Sequence, residues 1–370
     1  MKREESSRRH SFGKSLAGGP NWPERESLLP GSLCPSVVSL VHLSGWNLMN
    51  YVHGYSDREQ ERLQDQAGTL AELLHHDTRY PAGVSVLEAG CGVGAQTVIL
   101  ARHSPETRFV SIDLSEESLA GARQAVAAQG SQNVTFQRAD LFALPFPAGS
   151  FDHVFVCFVL EHLPEPERAL RCLRDVLKPG GTLTAIEGDH GSTFFHPASA
   201  DAWRTIQCLI DVQARMRGNA LIGRQVYPLL ASAGFRNVTV SPRMVYADAS
   251  RPGMVDGFTR KTFIAMVEGV RGQALKLGLI DAETWAKGIR DLNRTTESDG
   301  VFCYTFFKGI GVKLSSGVLD QHDVNRLEDA GHTDGGRLPL AGAVVQLLGR
   351  DGGWRVETRG RGRARRQGKS

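Results

Sequence analysis

A glycine-rich turn between two apolar runs is the feature that most constrains the fold of this chain. Residues 86–94 read VLEAGCGVG, after a predicted buried strand at 84–87 and before a predicted helix at 95–102. Glycines carry no Cβ, so the backbone can turn tightly there and approach a ligand closely. A helix that begins behind such a loop offers free N–H donors and favours negative groups. The pattern predicts a strand–loop–helix unit that binds a small ligand.

Two carboxylates flank this loop and restrict the ligand. Asp113 ends a second predicted strand at 109–113, where a carboxylate would meet the two hydroxyls of a ribose. The spacing G-x-G-x-G departs from the dinucleotide fingerprint G-x-G-x-x-G. Glu88 stands two residues before Gly90, where it would repel a pyrophosphate but suits a ligand with an ammonium group and a sulfonium centre. S-adenosylmethionine has both of these groups and a ribose.

The block resembles the first two motifs of class I S-adenosylmethionine-dependent methyltransferases, and the rest of the pattern follows in that order. We predict helices at 115–129 and 166–177, and strands at 133–137, 150–158 and 182–187. The resemblance covers about residues 84–188. The stretch 151–163 and the turn KPGG at 178–181 most resemble the small-molecule branch that contains the ubiquinone and menaquinone biosynthesis methyltransferases.

The resemblance implies an α/β fold, a Rossmann-like doubly wound sheet of seven strands. The last two strands are predicted at 238–246 and 301–312, and about fifty residues separate them where the family has a hairpin. Within this insertion, at about 248–299, the stretches 252–272 and 282–296 are predicted to be helical. Its apolar residues recur at helical spacing, so one face must be buried. We expect the insertion to form a helical lid over the substrate.

The resemblance also implies which residues hold S-adenosylmethionine. An aromatic ring from the segment before the first helix can attract the sulfonium, and an acidic residue after the third strand can meet the adenine amino group. The residues predicted to bind the cofactor are Tyr51, Glu88, Gly90, Cys91, Gly92, Gln96, Asp113, Leu114, Asp140, Leu141 and Cys157.

Histidines near the strand ends are the candidates for catalysis. Methyl transfer is an in-line displacement, and a general base helps when the acceptor is a hydroxyl, a phenol or a carbon acid. We predict His162 and His190 as catalytic residues, with Asp189 and His196 as weaker candidates for the base. The grouping of Asp189, His190 and His196 could suggest a metal site, but nothing else in the sequence supports one, and none is predicted.

The amino-acid composition fits an intracellular enzyme whose two ends differ in composition from its middle. The 370 residues are 41% hydrophobic and 22% charged, and no apolar run is long enough for a membrane span. Six cysteines without metal-ligand spacing favour a reducing compartment, so we expect a cytoplasmic protein. We predict a disordered extension at 1–48, a methyltransferase domain at 49–315 with its cofactor-binding core at 84–188, and a disordered basic tail at 316–370.

Three functions compete on the sequence alone. The first is methyl transfer to a small-molecule acceptor, with no membrane partner. The second is an RNA-directed methyltransferase that uses the tail, since residues 350–370 carry eight Lys or Arg against two acidic residues, a balance of +6, while the whole chain is +3. Residues 157–160 lack the Asn/Asp-Pro-Pro-aromatic block of enzymes that methylate base amino groups. The third is a non-catalytic cofactor-binding module. The acceptor, the methylated atom and the oligomeric state stay open.

Overall fold

The described part of the chain is built on a mixed β-sheet. The computed structural model describes residues 57–314 and two short segments, 339–340 and 343–344. In chain order the strands of this sheet are β1 (Ser85–Ala89), β2 (Arg108–Asp113), β3 (Val134–Arg138), β4 (Phe151–Cys157), β5 (Leu177–His196), β6 (Arg236–Ala247) and β7 (Val301–Val312). Their order across the sheet is β3-β2-β1-β4-β5-β7-β6. The predicted fold class, a Rossmann-like doubly wound sheet of seven strands, is confirmed.

The strands run in the directions that place a ligand site at one edge. Strands β1 to β5 pair in parallel, and β7 is antiparallel to both β5 and β6. The strand order reverses between β1 and β4, and a ligand binds outside the carboxyl ends of the strands at such a point. Two further strands, β8 (Pro339–Leu340) and β9 (Ala343–Val344), pair with each other antiparallel.

Helices connect the strands at nearly the predicted places. They are α1 (Asp57–His75), α2 (Ala95–His103), α3 (Glu116–Ala128), α4 (Pro166–Val176), α5 (Ala200–Arg215) and α6 (Val226–Ser232), with 3₁₀ turns at Leu160–His162 and Ile222–Gln225. Ser115 caps α3 as its sequence position indicates, because its side chain accepts a hydrogen bond from the Ser118 N–H at 3.1 Å. Among the described residues, no helix combines the length and the apolar character that crossing a membrane requires.

The segment between β6 and β7 is helical but irregular. It contains α7 (Pro252–Met254), a π-helix (Val255–Ile264), α8 (Ala265–Gly269), α9 (Arg271–Lys276) and α10 (Ala282–Arg294). Thr262 donates its hydroxyl to the carbonyl of Gly257 at 2.8 Å, five residues back. A Cβ at Gly257 would meet the side chain of Thr69 on α1, so this position lets the two helices approach closely. The sequence predicted two continuous helical stretches, at 252–272 and 282–296. It could not indicate the π-helix, because a tertiary contact such as that of Gly257 with Thr69 leaves no local sequence signal.

Strand β5 is longer than predicted, and residues 188–196 are strand rather than loop. They pair with β7 up to His196, with an irregularity between Asp189 and Phe194. The pairing partner lies more than a hundred residues away, so local periodicity could not reveal it. The extension matters for function because it places His190 inside the sheet.

Two hydrophobic clusters cover the two faces of the sheet. Alternate strand residues point to opposite faces, so Val86 joins one cluster and Leu87 the other. Helices α4 and α6 pack on the second cluster, and α1 and α5 pack on the first. The insertion packs on the first cluster too, where Phe258 and Phe263 are 1% and 0% exposed. The insertion is therefore part of the main core.

Candidate functional site

The glycine loop has the shape that the sequence predicts for close approach to a ligand. The N–H groups of Gly90 and Cys91 both donate to the carbonyl of Ile112, which fixes the loop between β1 and β2. Gly90 has φ of 72°, and a Cβ there would lie 2.5 Å from Val159. Gly92 has φ of 53°, and within the described part of the chain no atom lies within 4 Å of where its Cβ would be. The outer side of the loop is open to a ligand.

Asp113 joins this loop to the start of α3. One carboxylate oxygen accepts the N–H of Gly92 at 2.9 Å, and the other accepts the N–H of Ser115 at 2.9 Å. Burial raises the pKa of Asp113, although these backbone hydrogen bonds oppose the shift. Each oxygen of an ionised carboxylate can accept more than one hydrogen bond, so Asp113 retains capacity for a pair of hydroxyls.

Glu88 lies under the loop and is 2% exposed. Its Oε2 accepts the hydroxyls of Thr97 at 2.7 Å and Ser111 at 2.6 Å. Burial raises the pKa of Glu88 to about 7, against these two hydrogen bonds and with a contribution from the Asp113 charge. A positive ligand group nearby would favour the ionised form.

The other predicted cofactor residues lie around the same edge of the sheet. Gln96 on α2 has its side-chain oxygen 2.7 Å from Nε2 of His75. Leu114 is 43% exposed just after β2. Asp140 is exposed after β3, and its Oδ1 accepts the N–H of Phe142, while Leu141 is half-buried. Cys91 and Cys157 are buried thiols whose pKa burial raises. Tyr51 lies outside the described residues.

A small cavity opens beyond the carboxyl ends of β4 and β5. Its volume is about 60 Å³. Side chains from α1, from the segment that follows β4, from β5 and β7, and from the insertion line it. The lining residues include Glu161, His162, His190, Phe258, Phe263 and Tyr304.

The structure brings both predicted catalytic histidines to this cavity. His162, in the 3₁₀ turn after β4, has its Nε2 3.7 Å from Oε1 of Glu161. His190 is 3% exposed, and its Nδ1 lies 2.7 Å from the Tyr304 hydroxyl. Burial lowers the pKa of His190, so its ring is neutral near pH 7. Burial opposes the ionisation of Glu161, but the nearby His162 and His190 hold its pKa below the ordinary value.

Glu187 carries a buried carboxyl group. It ends the strand predicted at 182–187, and the sequence indicated no function for it. It is 0% exposed, and its Oε1 accepts the N–H groups of Val159 and Leu160 at 3.1 and 2.8 Å. Burial, followed by repulsion from Glu161, raises its pKa well above the ordinary value. By accepting these two N–H groups, Glu187 fixes the turn that carries Glu161 and His162.

Asp189 and His196, the weaker candidates for the base, do not join the cavity. Both oxygens of Asp189 bind Arg224, at 2.6 and 2.8 Å. His196 is exposed at the far end of β5. In the part of the chain that the structure describes, no three His, Cys, Asp or Glu side chains converge as metal ligands would. Sequence reasoning also missed Tyr304 as a site residue, because only the pairing of β5 with β7 places it beside His190.

Comparison with known proteins assigns this architecture to a class. Residues 87–185 match the methyltransferase domain family. The chain therefore contains a methyltransferase domain in this segment, which includes the glycine loop and Asp113.

Three relatives show the extent of the similarity. An uncharacterised 37.1 kDa transposon protein of Streptomyces fradiae is 35% identical over 190 residues, 50% of this chain and 54% of that protein. The 27-O-demethylrifamycin SV methyltransferase of Amycolatopsis mediterranei is 33% identical over 36% of this chain and 49% of its own. A chloroplastic 2-methyl-6-phytyl-1,4-hydroquinone methyltransferase of rice is 32% identical, over 39% and 41%. The chain spans about half the length of these curated relatives.

Proposed function

We propose that this protein transfers a methyl group from S-adenosylmethionine to a small-molecule acceptor by in-line displacement. The observation that carries the proposal is the adjacency of two sites along one sheet edge. The open glycine loop with Asp113 lies at the ends of β1 and β2, and the cavity with His162 and His190 lies at the ends of β4 and β5. The relatives named for rifamycin and hydroquinone substrates support a small-molecule acceptor.

The residues present fit the cofactor. Asp113 would accept hydrogen bonds from the ribose hydroxyls. The open face of the loop at Gly92 leaves room for the ligand to approach the protein backbone. Asp140 and Leu141 would lie along the adenine, and Glu88 would face the amino-acid end. We propose that Gln96, Leu114, Cys91 and Cys157 also line the cofactor site. Tyr51, in the segment before α1, would cover the cofactor. When bound, the cofactor supplies an activated methyl group on a sulfonium.

The protein's own groups would orient the acceptor and exclude water. The cavity is walled by Phe258 and Phe263 from the insertion, which we propose acts as a lid that shapes the acceptor site. His162 beside Glu161 is placed to take a proton from an acceptor hydroxyl or carbon acid, since the carboxylate stabilises the protonated ring. His190 would contact the acceptor from β5.

The proposal also includes the domain boundaries and the cellular compartment. We propose a methyltransferase domain at 49–315 between extensions at 1–48 and 316–370, and a cytoplasmic location. The cysteines within the described residues are all free, Cys91, Cys157 and Cys208 among them, which agrees with a reducing compartment.

Calorimetry with three ligands tests the proposed cofactor. The protein should bind S-adenosylmethionine and S-adenosylhomocysteine, and bind NAD much more weakly, because Glu88 and the loop spacing disfavour a pyrophosphate. Equal or tighter binding of NAD would refute the assignment. Incubation with radiolabelled S-adenosylmethionine and fractionated small-molecule extracts would then identify the acceptor.

A further inference from the structure

Tyr304 and His190 form a buried hydrogen-bonded pair on neighbouring strands. Tyr304 lies on β7 and is 2% exposed, and its hydroxyl meets Nδ1 of His190 on β5. A Cβ at Gly188 would collide with this hydroxyl, so the glycine provides the space that the tyrosine needs. The rings of Phe258, Phe263 and Phe306 pack on Tyr304, with centroids 4.8 to 5.5 Å away. The pair is therefore held in one geometry.

The hydrogen bond decides which nitrogen of His190 carries the proton. Burial raises the pKa of Tyr304 well above its ordinary value, so the hydroxyl keeps its proton. Within the described part of the chain, Nδ1 of His190 is the only side-chain partner of that hydroxyl. A hydroxyl that donates to Nδ1 leaves the proton of the neutral ring on Nε2.

Nε2 of His190 is left without a protein partner. It is buried and has no hydrogen-bond partner among the described residues, while the ring lines the cavity. A buried N–H without an acceptor costs free energy, so such a group needs a ligand atom to complete it. The cavity lining combines aromatic rings such as Phe258 and Phe263 with polar side chains such as Arg62 and Glu161, so a ring compound that presents an oxygen to Nε2 would fit it.

We propose that the Nε2–H of His190 donates to a hydroxyl or carbonyl oxygen of the acceptor, and that Tyr304 is a positioning residue that sets this tautomer. The inference rests on the proposed function and names its substrate class, a ring compound that carries a hydroxyl or carbonyl oxygen. It assigns His190 to acceptor binding and leaves proton removal to His162. The groups facing His190 from the packed elements are Glu161, His162, Asp189 and Arg62.

Nitrogen NMR of the histidine-labelled protein at one fixed neutral pH tests the tautomer directly. The His190 signals, assigned by their loss in His190→Gln, should show the proton on Nε2. Tyr304→Phe keeps the ring but removes the donor, so it should give a mixture of both tautomers. Tyr246→Phe, at a tyrosine that is 39% exposed on β6, should leave the signals unchanged. A proton on Nδ1 in the unaltered protein would overturn the proposal.

Binding of two matched probes tests the substrate class. Acetophenone and α-methylstyrene have nearly the same shape and differ in a carbonyl oxygen that can only accept, and both are titrated into protein saturated with S-adenosylhomocysteine. The preference for acetophenone over α-methylstyrene should fall about twofold in Tyr304→Phe, where about half of the His190 rings lose the Nε2–H, and stay constant in Tyr246→Phe. An unchanged preference, or no binding of either probe, would overturn the proposal. Intact binding of S-adenosylhomocysteine in every variant would show that the cofactor assignment is unaffected by that failure.

Discussion

At the scale of single residues, the cofactor edge depends on carboxyl groups in different environments. Asp113 is bound to two backbone N–H groups at the ends of β2 and the glycine loop, whereas Glu88 is bound to two hydroxyls beneath the loop. Backbone donors favour the ionised form of a carboxylate, and burial opposes it. We expect Asp113 to act as an acceptor for ligand hydroxyls, and Glu88 to respond to the charge of the ligand.

Asp113→Ala should weaken binding of S-adenosylhomocysteine at least about tenfold. Charge-assisted hydrogen bonds contribute about 1.5–3 kcal/mol each, and about 1.4 kcal/mol corresponds to a factor of ten. Asp113→Asn keeps the size and one accepting oxygen, so it should lose less. Calorimetry measures the affinity, and circular dichroism checks that both variants fold. Unchanged affinity in a folded alanine variant would remove Asp113 from the site.

Glu88 should make stability depend on pH in a defined window. Its pKa is about 7 in the folded protein and 4.5 when exposed, so its contribution is fully present below 4.5 and is lost as the pH rises through 7. Glu88→Gln retains an oxygen for Thr97 and Ser111 but cannot ionise. The unfolding free energy of the variant, relative to the unaltered protein, should rise by up to about 3 kcal/mol between pH 4.5 and 8.

Urea unfolding of both proteins across that range measures this difference. An equal pH dependence in the two proteins would show that Glu88 stays ionised in the folded state. Addition of S-adenosylmethionine provides a further control, because a nearby ammonium group would favour the ionised form of Glu88 and lower its pKa.

At the scale of elements, the insertion between β6 and β7 lines the cavity and also belongs to the hydrophobic core. Phe258 and Phe263 line the cavity and also pack with Phe302 and Tyr304 of β7. Removing the whole insertion would expose that face of the sheet. Point substitutions therefore separate its contribution to stability from its contribution to acceptor binding better than a deletion does.

Phe263→Ala should lower the unfolding free energy by about 3–5 kcal/mol, because it leaves a cavity in the main core. Leu277→Ala is the matched control in the same insertion. Leu277 is 42% exposed, so its removal should change stability by no more than about 0.5 kcal/mol. Urea unfolding measures both variants. A loss below 1 kcal/mol for Phe263→Ala would show that the insertion is not an integral part of the core.

At the scale of the whole molecule, the basic charge is concentrated in residues 350–370 of the sequence, which follow the last strand of the sheet. Removing residues 316–370 should leave binding of S-adenosylhomocysteine and turnover of the acceptor nearly intact, because the last strand of the sheet ends at Val312. Calorimetry and a methyl-transfer assay compare the two forms. Loss of activity on truncation, with salt-sensitive RNA binding only in the full chain, would favour the RNA-directed alternative.

Much of the fold follows from local sequence. Strands β1 and β2, the loop at 90–94 and the Ser115 cap were predictable because apolar periodicity and glycine spacing are short-range signals. The helical spacing of apolar residues in the insertion also predicted a buried face, and Phe258 and Phe263 confirm it. The placement of Asp113 beside Gly92 follows from the order of parallel strands.

The cavity beyond the carboxyl ends of β4 and β5 was decided by tertiary structure alone. The extension of β5 to His196, the pairing of Tyr304 with His190 and the π-helix over α1 all depend on partners distant in sequence. The burial that leaves Nε2 of His190 without a partner among the described residues, and that raises the pKa of Glu187, depends on several elements packing together. Sequence by itself predicted where a cofactor would bind, because one continuous strand–loop–helix unit carries that prediction. The shape and chemistry of the second site required the packed fold, because five separate elements build it.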